Sequence, residues 1–447
     1  MGDIVYVFTS AHDPAAIYKN ESLSMNPWLV DMMHQFGASS PAVQAMWSKV
    51  PVEKDQSPMS PGVKLRGWRD QPVKEVCLML FRALLNPGGH LDTMLDVLLG
   101  TIRQRMTWDA VPEHLTLSKT ADTCDVSLSL WVQHVLLEGA TRSFFGDALM
   151  KLEPRLLDSF AQFDETSWKL SYRIPDVFAK DCKSSKAIAE QALGRFFDLP
   201  IEERADTSLV ILEIENVLRA AGIDSADMGI LVLMFYWVIN ANAWKAAFWM
   251  LTHVINDEYL RSTICEEINP YVSPNADSGL SSTELANKLQ TCPTFMAAYH
   301  EALRISSSSM TVRFVMEESS IRGFNLQKGA RMIIPYRQVM LDESVYGEGS
   351  DQFNHERFLK NPGLLKSINY KPFGGGVTLC PGRALAQKEV LTFVALALGK
   401  FRVKLPAGKG PSCAKSMPEM NTRTPCLGIM GPETGDDIAV TLSKPLW

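Results

Sequence analysis

The sequence predicts a mainly α-helical fold with small β-sheets. Three observations carry this expectation. Apolar residues recur at three- and four-residue spacing through most of the first two-thirds of the chain. Strand-like runs are few and, apart from the first, fall late. Neither an internal repeat nor a low-complexity block interrupts the pattern. Taken in order, Ile4-Val5-Tyr6-Val7-Phe8 is a strand-like run. Asp13-Pro14 then reads as a helix N-cap with proline at the first helical position. Helical spacing covers 28–36, 41–48, 71–85, 92–105, 126–145, 150–170, 184–197, 208–220, 226–256 and 283–304. The connectors at 51–65 and 270–282 carry Pro, Gly, Ser and Asn. Later strand patterns sit at 312–316, 331–335 and near 427–430.

Composition narrows the class. Apolar residues make up 46% and charged residues 21%, which excludes wholesale disorder. The 447 residues admit two to four domains or one large one. A net charge of −6 argues against a general nucleic-acid binder. Eight cysteines, at 77, 124, 182, 265, 292, 380, 413 and 426, form no C-x-x-C and no zinc spacing with histidine. They read as reduced thiols of an intracellular protein. No basic segment followed by an apolar run opens the chain, so no signal peptide is read there. The stretch 229–244 has no charge over 16 residues. A membrane span needs ~20 apolar residues. With Asn240, Asn242 and Lys245 in or beside it, this run predicts a long helix buried in a large core.

The stretch 371–390, KPFGGGVTLCPGRALAQKEV, is the most informative. Three glycines let backbone approach something flat and close. Cys380 falls at the mouth of a helix, where backbone N–H groups and the helix dipole favour a thiolate. Pro381 suits a first helical turn. The run F-x-x-G-x-x-x-C-x-G resembles the haem-ligand loop of the cytochrome P-450 superfamily. Glu301-Ala302-Leu303-Arg304 matches that family's E-x-x-R, and Phe353 to Phe358 (FNHERF) its P-E-R-F region, with His355 where proline is usual. On a helix, residues three apart share a face, so Glu301 and Arg304 are placed to meet Arg357. The resemblance covers nearly the whole chain. It is nearest to fungal secondary-metabolism members resembling the sterol 7/12-hydroxylase and prostacyclin-synthase groups.

The resemblance implies one cytochrome P-450 catalytic domain over 1–447, a helical prism around one haem b. Cys380 is then the thiolate ligand of the iron, Phe373 packs near the sulfur, and Gly376 and Gly382 permit tight turns. Thr378 stands where many relatives have Arg or His for a haem propionate. Arg313, Trp131 and His134 are therefore expected to supply the propionate contacts. Glu301, Arg304 and Arg357 form a structural ionic network. In the distal helix most monooxygenases place an acid–threonine pair that delivers protons. Here Asn242 and Ala243 occupy those positions, and neither is a useful proton donor. Phe235, Ile239, Ser309, Met310, Thr311, Leu427 and Ile429 are expected to line a mostly apolar substrate pocket.

Two activities stay open at this point. One is a monooxygenase acting on a lipophilic natural product such as a terpenoid, sterol or polyketide-like molecule. The other is a redox-neutral isomerase or dehydratase acting on a peroxide or preoxidised substrate. A haem-binding protein without catalysis is the third reading, opposed by the intact motifs. Residues 357–404 hold nine Lys or Arg and one acid, Glu389. Such a face suits docking of NADPH-cytochrome P-450 reductase. Relative to the family, the membrane anchor, first helix and first strand are expected to be missing from this chain. The resemblance places the full-length protein on the endoplasmic reticulum membrane, as a monomer.

Overall fold

In the computed structural model, residues 4–53, 55–273, 279–405 and 417–444 are described. Cys413 lies outside them. Helices dominate, and all ten predicted helical segments are represented, four of them altered, of which 283–304 divides into Ser282–Leu289 and Pro293–Ser306. The segment 126–145 begins as strand Thr123–Ser127 and turns helical at Leu128–Phe145, where the Ser127 hydroxyl accepts from the Leu130 N–H. The segment 150–170 is three short helices, Ala148–Leu152, Leu156–Thr166 and Trp168–Ser171. The segment 226–256 divides into Ser225–Asn240 and Ala243–Asn256.

Two four-stranded sheets flank the helices. The first runs in the order Val5–Val7, Arg331–Pro335, Met310–Val315, Leu23–Ser24. The opening strand pairs in parallel with Arg331–Pro335, and the other pairings are antiparallel. Phe8, Val315, Met332 and Ile334 form a small core beneath it, with Tyr336 and Phe358. The second sheet has the order Thr116–Lys119, Thr123–Ser127, Ala439–Ser443, Arg402–Lys404, all antiparallel. It was not visible in the sequence, because its strands are short and the central pairing, Thr123–Ser127 with Ala439–Ser443, joins segments more than three hundred residues apart.

The main core is one large cluster shared by the helices. Helix Arg383–Lys400 runs through it and is buried on nearly all sides from Glu389 to Ala397. Its apolar residues therefore lack a one-sided stripe, as expected of a helix packed all round. Helix Ala243–Asn256 packs against Leu128–Phe145, Arg383–Lys400 and Pro293–Ser306. It brings the distal residues, the ligand loop and the E-x-x-R helix into one region.

Candidate functional site

The ionic network is formed as the sequence predicts. Glu301 and Arg304 share one face of helix Pro293–Ser306, and both are fully buried. Arg304 donates from Nε to Glu301 Oε2 and from Nη2 to Oε1, each at 2.8 Å. Arg357 Nη1 reaches Glu301 Oε1 at 2.8 Å. The Asn354 N–H donates to the same oxygen at 2.9 Å. The remaining guanidinium donors find main-chain carbonyls of Met340, Tyr346, Gly349 and Gln352. Buried charges persist when paired and hydrogen-bonded in this way.

The loop from Phe373 to Gly382 lies between this network and helix Arg383–Lys400. The Cys380 N–H donates to the Phe373 carbonyl at 3.0 Å, closing the loop on itself. Gly374 and Gly376 adopt φ of 71° and 60°, where side chains are strained. Gly376 thus fulfils its expected turn role. Gly382 does not: its φ of −82° is ordinary, and it is the helix N-cap. Pro381 correspondingly precedes the cap rather than sitting in the first turn. Burial pushes the Cys380 thiol above its usual pKa, while the N–H groups of Gly382 and Arg383 and the Arg383 guanidinium pull it down.

Arg313 is buried beside this loop. Its Nη2 donates to Thr378 Oγ1 at 3.4 Å and its Nη1 to the Val312 carbonyl at 2.9 Å. No carboxylate pairs with it among the described residues. Burial lowers its pKa, opposed by the phenols of Tyr336 and Tyr18. Those two phenols are hydrogen-bonded to each other, and Tyr18 also packs on Gly375 and Gly376. A buried guanidinium lacking an anion, with hydroxyls beside it, fits a carboxylate-bearing cofactor. Tyr18 and Tyr336 carry no sequence signal: each is a single tyrosine in an ordinary short element.

Trp131 and His134 are a correction. Trp131 packs edge-on against Phe393 and Phe401, with ring centroids 5.3 and 5.8 Å apart. Phe393 lies 13 residues beyond Cys380, on the order of 20 Å away at ~1.5 Å per helical residue. His134 sits edge-on to His114, with Nε2 3.9 Å from a Glu138 carboxylate oxygen. Neither is brought to the ligand loop. Their helix is wedged between helices Gly89–Arg105 and Ala243–Asn256, so its apolar residues serve the core. The basic face is also smaller than the count of charges implied. Lys388 is buried, Arg357 belongs to the network, and Lys360 pairs with Glu356. Lys366, Arg383, Arg402 and Lys404 remain exposed.

On the distal side, the helix breaks at Ala241 and Asn242. Asp164 of helix Leu156–Thr166 bridges the break. Its Oδ1 accepts from Trp237 Nε1 at 3.0 Å and its Oδ2 from Lys245 Nζ at 2.7 Å. Burial works to lower the pKa of Lys245, but Asp164, the Cys426 thiol and Glu165 outweigh it and raise the pKa. Asp164 is not legible as a site residue, because one acid on an amphipathic helix resembles a solvated charge. Asn242 meets the turn at 427–430 through the Ile429 N–H at 2.8 Å. Ser307 bridges to Ile429, which brings the chain just before the expected residues Ser309, Met310 and Thr311 up to the turn that carries Leu427 and Ile429. The Ser309 hydroxyl is buried without a partner, Thr311 is buried, and Met310 is half-buried. Ala243 is buried at the start of the second helix. Phe235 packs edge-on against Phe81 at 5.1 Å, and Ile239 is half-buried. A cavity of about 670 Å³ opens beside the break, lined among others by Asp164, Trp237, Asn242, Trp244, Lys245 and Leu427. The other expected pocket residues stand outside its wall.

The fold and site define a class. A family profile described as cytochrome P-450 matches residues 244–425. The chain is 26% identical over 298 residues to a cytochrome P-450 monooxygenase of Gibberella zeae, covering 63% of this chain and 56% of that one. It is 25% identical over 343 residues to cytochrome P-450 7A1 of Rattus norvegicus, covering 71% and 66%. A crystallised mutant cytochrome P-450 haem domain superposes with a TM-score of 0.63 at 12% identity, covering 98% of this chain and 87% of that one. That likeness speaks for the fold. The alignments span between about half and two-thirds of the curated relatives' lengths. The profile match over residues 244–425, the curated relatives and the fold together support the cytochrome P-450 superfamily. That family and fold imply haem with its iron held by a cysteine thiolate.

Proposed function

We propose that this chain is the catalytic domain of a haem-thiolate monooxygenase that oxidises a lipophilic natural product, with Cys380 as the iron ligand. The observation that carries the reading is the ligand loop itself. Cys380 is held by the Phe373 carbonyl, the buried and anion-free Arg313 stands at its side, and the intact Glu301–Arg304–Arg357 network braces the neighbouring helix. Arg313, with Thr378 and the Tyr18–Tyr336 pair, would hold the propionates. Bound haem supplies one-electron and dioxygen chemistry, and the thiolate favours O–O cleavage. The protein supplies the orientation and a largely apolar distal surface around residues 235–243, 309–311 and 427–429. Exposed Lys366, Arg383, Arg402 and Lys404 suit an acidic flavoprotein reductase. The fungal relatives named cytochrome P-450 monooxygenases support the oxygenase reading, and secondary metabolism at the endoplasmic reticulum membrane is the setting the superfamily resemblance suggests.

One observation favours a second reading. Asn242 and Ala243 give no acid–alcohol pair at the break, and the Asn242 carbonyl is already engaged. Rearrangement or dehydration of a peroxide or preoxidised substrate needs no such pair. Two measurements separate the cases. Reduced protein with carbon monoxide is expected to show the red-shifted thiolate Soret band, and its absence in folded protein loaded with haem would overturn the ligand assignment. Product formation that depends on NADPH, reductase and O2 supports oxygenation. Turnover of a hydroperoxide or preoxidised substrate without reductase would favour rearrangement.

A further inference from the structure

The break in the distal helix offers a residue whose conduct is unusual for its type. Asn242 is the N-cap of helix Ala243–Asn256, a position where asparagine normally turns its side chain onto the first N–H groups of its own helix. Here no side-chain cap bond forms. The side-chain carbonyl instead accepts the Ile429 N–H, at 2.8 Å, from the C-terminal turn. The turn is shaped to receive it. A Cβ on Gly428 would stand 1.9 Å from Asn242 Oδ1, so a residue with a side chain there cannot coexist with this contact.

The same turn is tied down from three further directions. The Ser308 N–H donates to the Gly428 carbonyl at 2.7 Å, and the Met430 N–H donates to the Ser306 carbonyl at 2.9 Å. Trp249 Nε1 donates to the Met430 carbonyl at 2.6 Å. These three bonds hold residues 428 and 430 to the end of the E-x-x-R helix and to the far half of the distal helix. The Ile429 N–H between them is held by Asn242 alone among the described residues. Beside the Ser307–Ile429 bridge and these bonds, Asn242 adds the contact that draws the middle of the turn onto the break itself.

We propose that Asn242 is a positioning residue that fastens the C-terminal turn to the break in the distal helix and thereby sets the depth of the distal pocket. The inference rests on the haem-thiolate reading for the pocket's use, but not for the contact itself. It assigns to the amide a mechanical task in place of proton delivery. Cutting the fastening releases the Ile429 N–H next to Leu427 and Gly428 of the cavity wall, while residues 428 and 430 stay tied to 306–308, so the turn loosens toward the break and the space a ligand can enter widens there.

The test uses the haem-loaded protein and three variants. Asn242→Asp keeps an oxygen acceptor and is expected to retain the contact. Asn242→Ala and Gly428→Ala remove it, one by deletion and one by collision. Hydrogen exchange at the Ile429 amide is expected to quicken at least ~10-fold in the latter two and to match the parent in Asn242→Asp. The ratio of dissociation constants for imidazole and 4-phenylimidazole, read from the haem spectrum, is expected to shift at least ~5-fold toward the larger ligand in Asn242→Ala. Parent-like exchange in Asn242→Ala overturns the fastening, as does Asn242→Asp exchanging as fast as Asn242→Ala. An unchanged azole ratio with quickened exchange overturns the claim about pocket depth. Failure of the haem-thiolate reading shows separately, as a parent protein without the red-shifted carbon monoxide band.

Discussion

The proximal and distal sides of this site are built on different principles. On the proximal side, Glu301, Arg304 and Arg357 are full charges, buried and matched, with their remaining donors on main-chain carbonyls. On the distal side, a neutral amide and a backbone N–H meet across a helix break. Removing one member of a buried charge network costs about 3–5 kcal/mol, whereas one neutral hydrogen bond contributes about 0.5–1.5 kcal/mol. The proximal side is thus rigid scaffold, and the distal side is adjustable. Asp164 is the exception, a buried charge pair placed on the adjustable side.

Several substitutions break or sharpen this contrast. The largest effect is expected from Arg304→Ala, which strips Glu301 of two of its hydrogen bonds: a loss of about 3–5 kcal/mol in urea unfolding, with little haem-loaded protein recovered. A loss below ~1 kcal/mol would mean the network is not scaffold. Next comes Asp164→Ala, which leaves Lys245 buried without its carboxylate and is expected to cost about 3 kcal/mol. Combining it with Lys245→Met should recover most of that loss. A double variant no better than Asp164→Ala alone would show that the ion pair is not what holds the break.

The two sides also respond oppositely to pH. Glu389, in the ligand helix, has its pKa raised from 4.5 to about 8 by burial. The folded protein keeps this proton while the unfolded chain gives it up, so its contribution lowers stability as pH rises from 4.5 through 8. His253, in the distal helix, is lowered from 6.5 to about 3 by burial, with Nε2 lacking a partner and its ring stacked on Phe353. The unfolded chain binds that proton first, so stability falls as pH drops from 6.5 through 3. Each slope is at most about 1.4 kcal/mol per pH unit. Glu389→Gln is expected to flatten the decline between pH 6.5 and 8, and His253→Phe to lessen the decline below pH 6.5. Melting curves across pH decide both, and slopes identical to the parent would remove these groups from the account. The smallest change is expected from Ala243→Thr. It supplies the missing alcohol and should raise product formed per O2 consumed, without altering stability by more than ~1 kcal/mol. An unchanged ratio would mean proton delivery is not limiting.

What was legible in the sequence follows from range. Glu301 and Arg304 are three residues apart on one helix, and Cys380 is framed by glycines whose backbone needs are local. Such features are written in adjacent letters. Asp164, Tyr18 and Tyr336 act through partners far along the chain, and nothing beside them marks that role. Trp131 misled for the same reason. A tryptophan on a helix reads alike whether it faces a cofactor or Phe393 and Phe401. The long apolar run at 229–244 gave helix against the core, but the structure makes it two helices with Val238 exposed, and the break depends on Asp164 and on the turn at 427–430.

The second sheet carries a consequence for biosynthesis. Strand Ala439–Ser443 is not an edge: it lies between Thr123–Ser127 and Arg402–Lys404, with Leu442 opposite both Cys124 and Val403. On the ribosome, the strand at 123–127 emerges more than three hundred residues before its partner. It must wait with its pairing edge and Val126 uncovered until Ser443 has left the exit tunnel. Completion of this sheet is therefore a late event in folding, and the waiting strand is a segment a chaperone would protect.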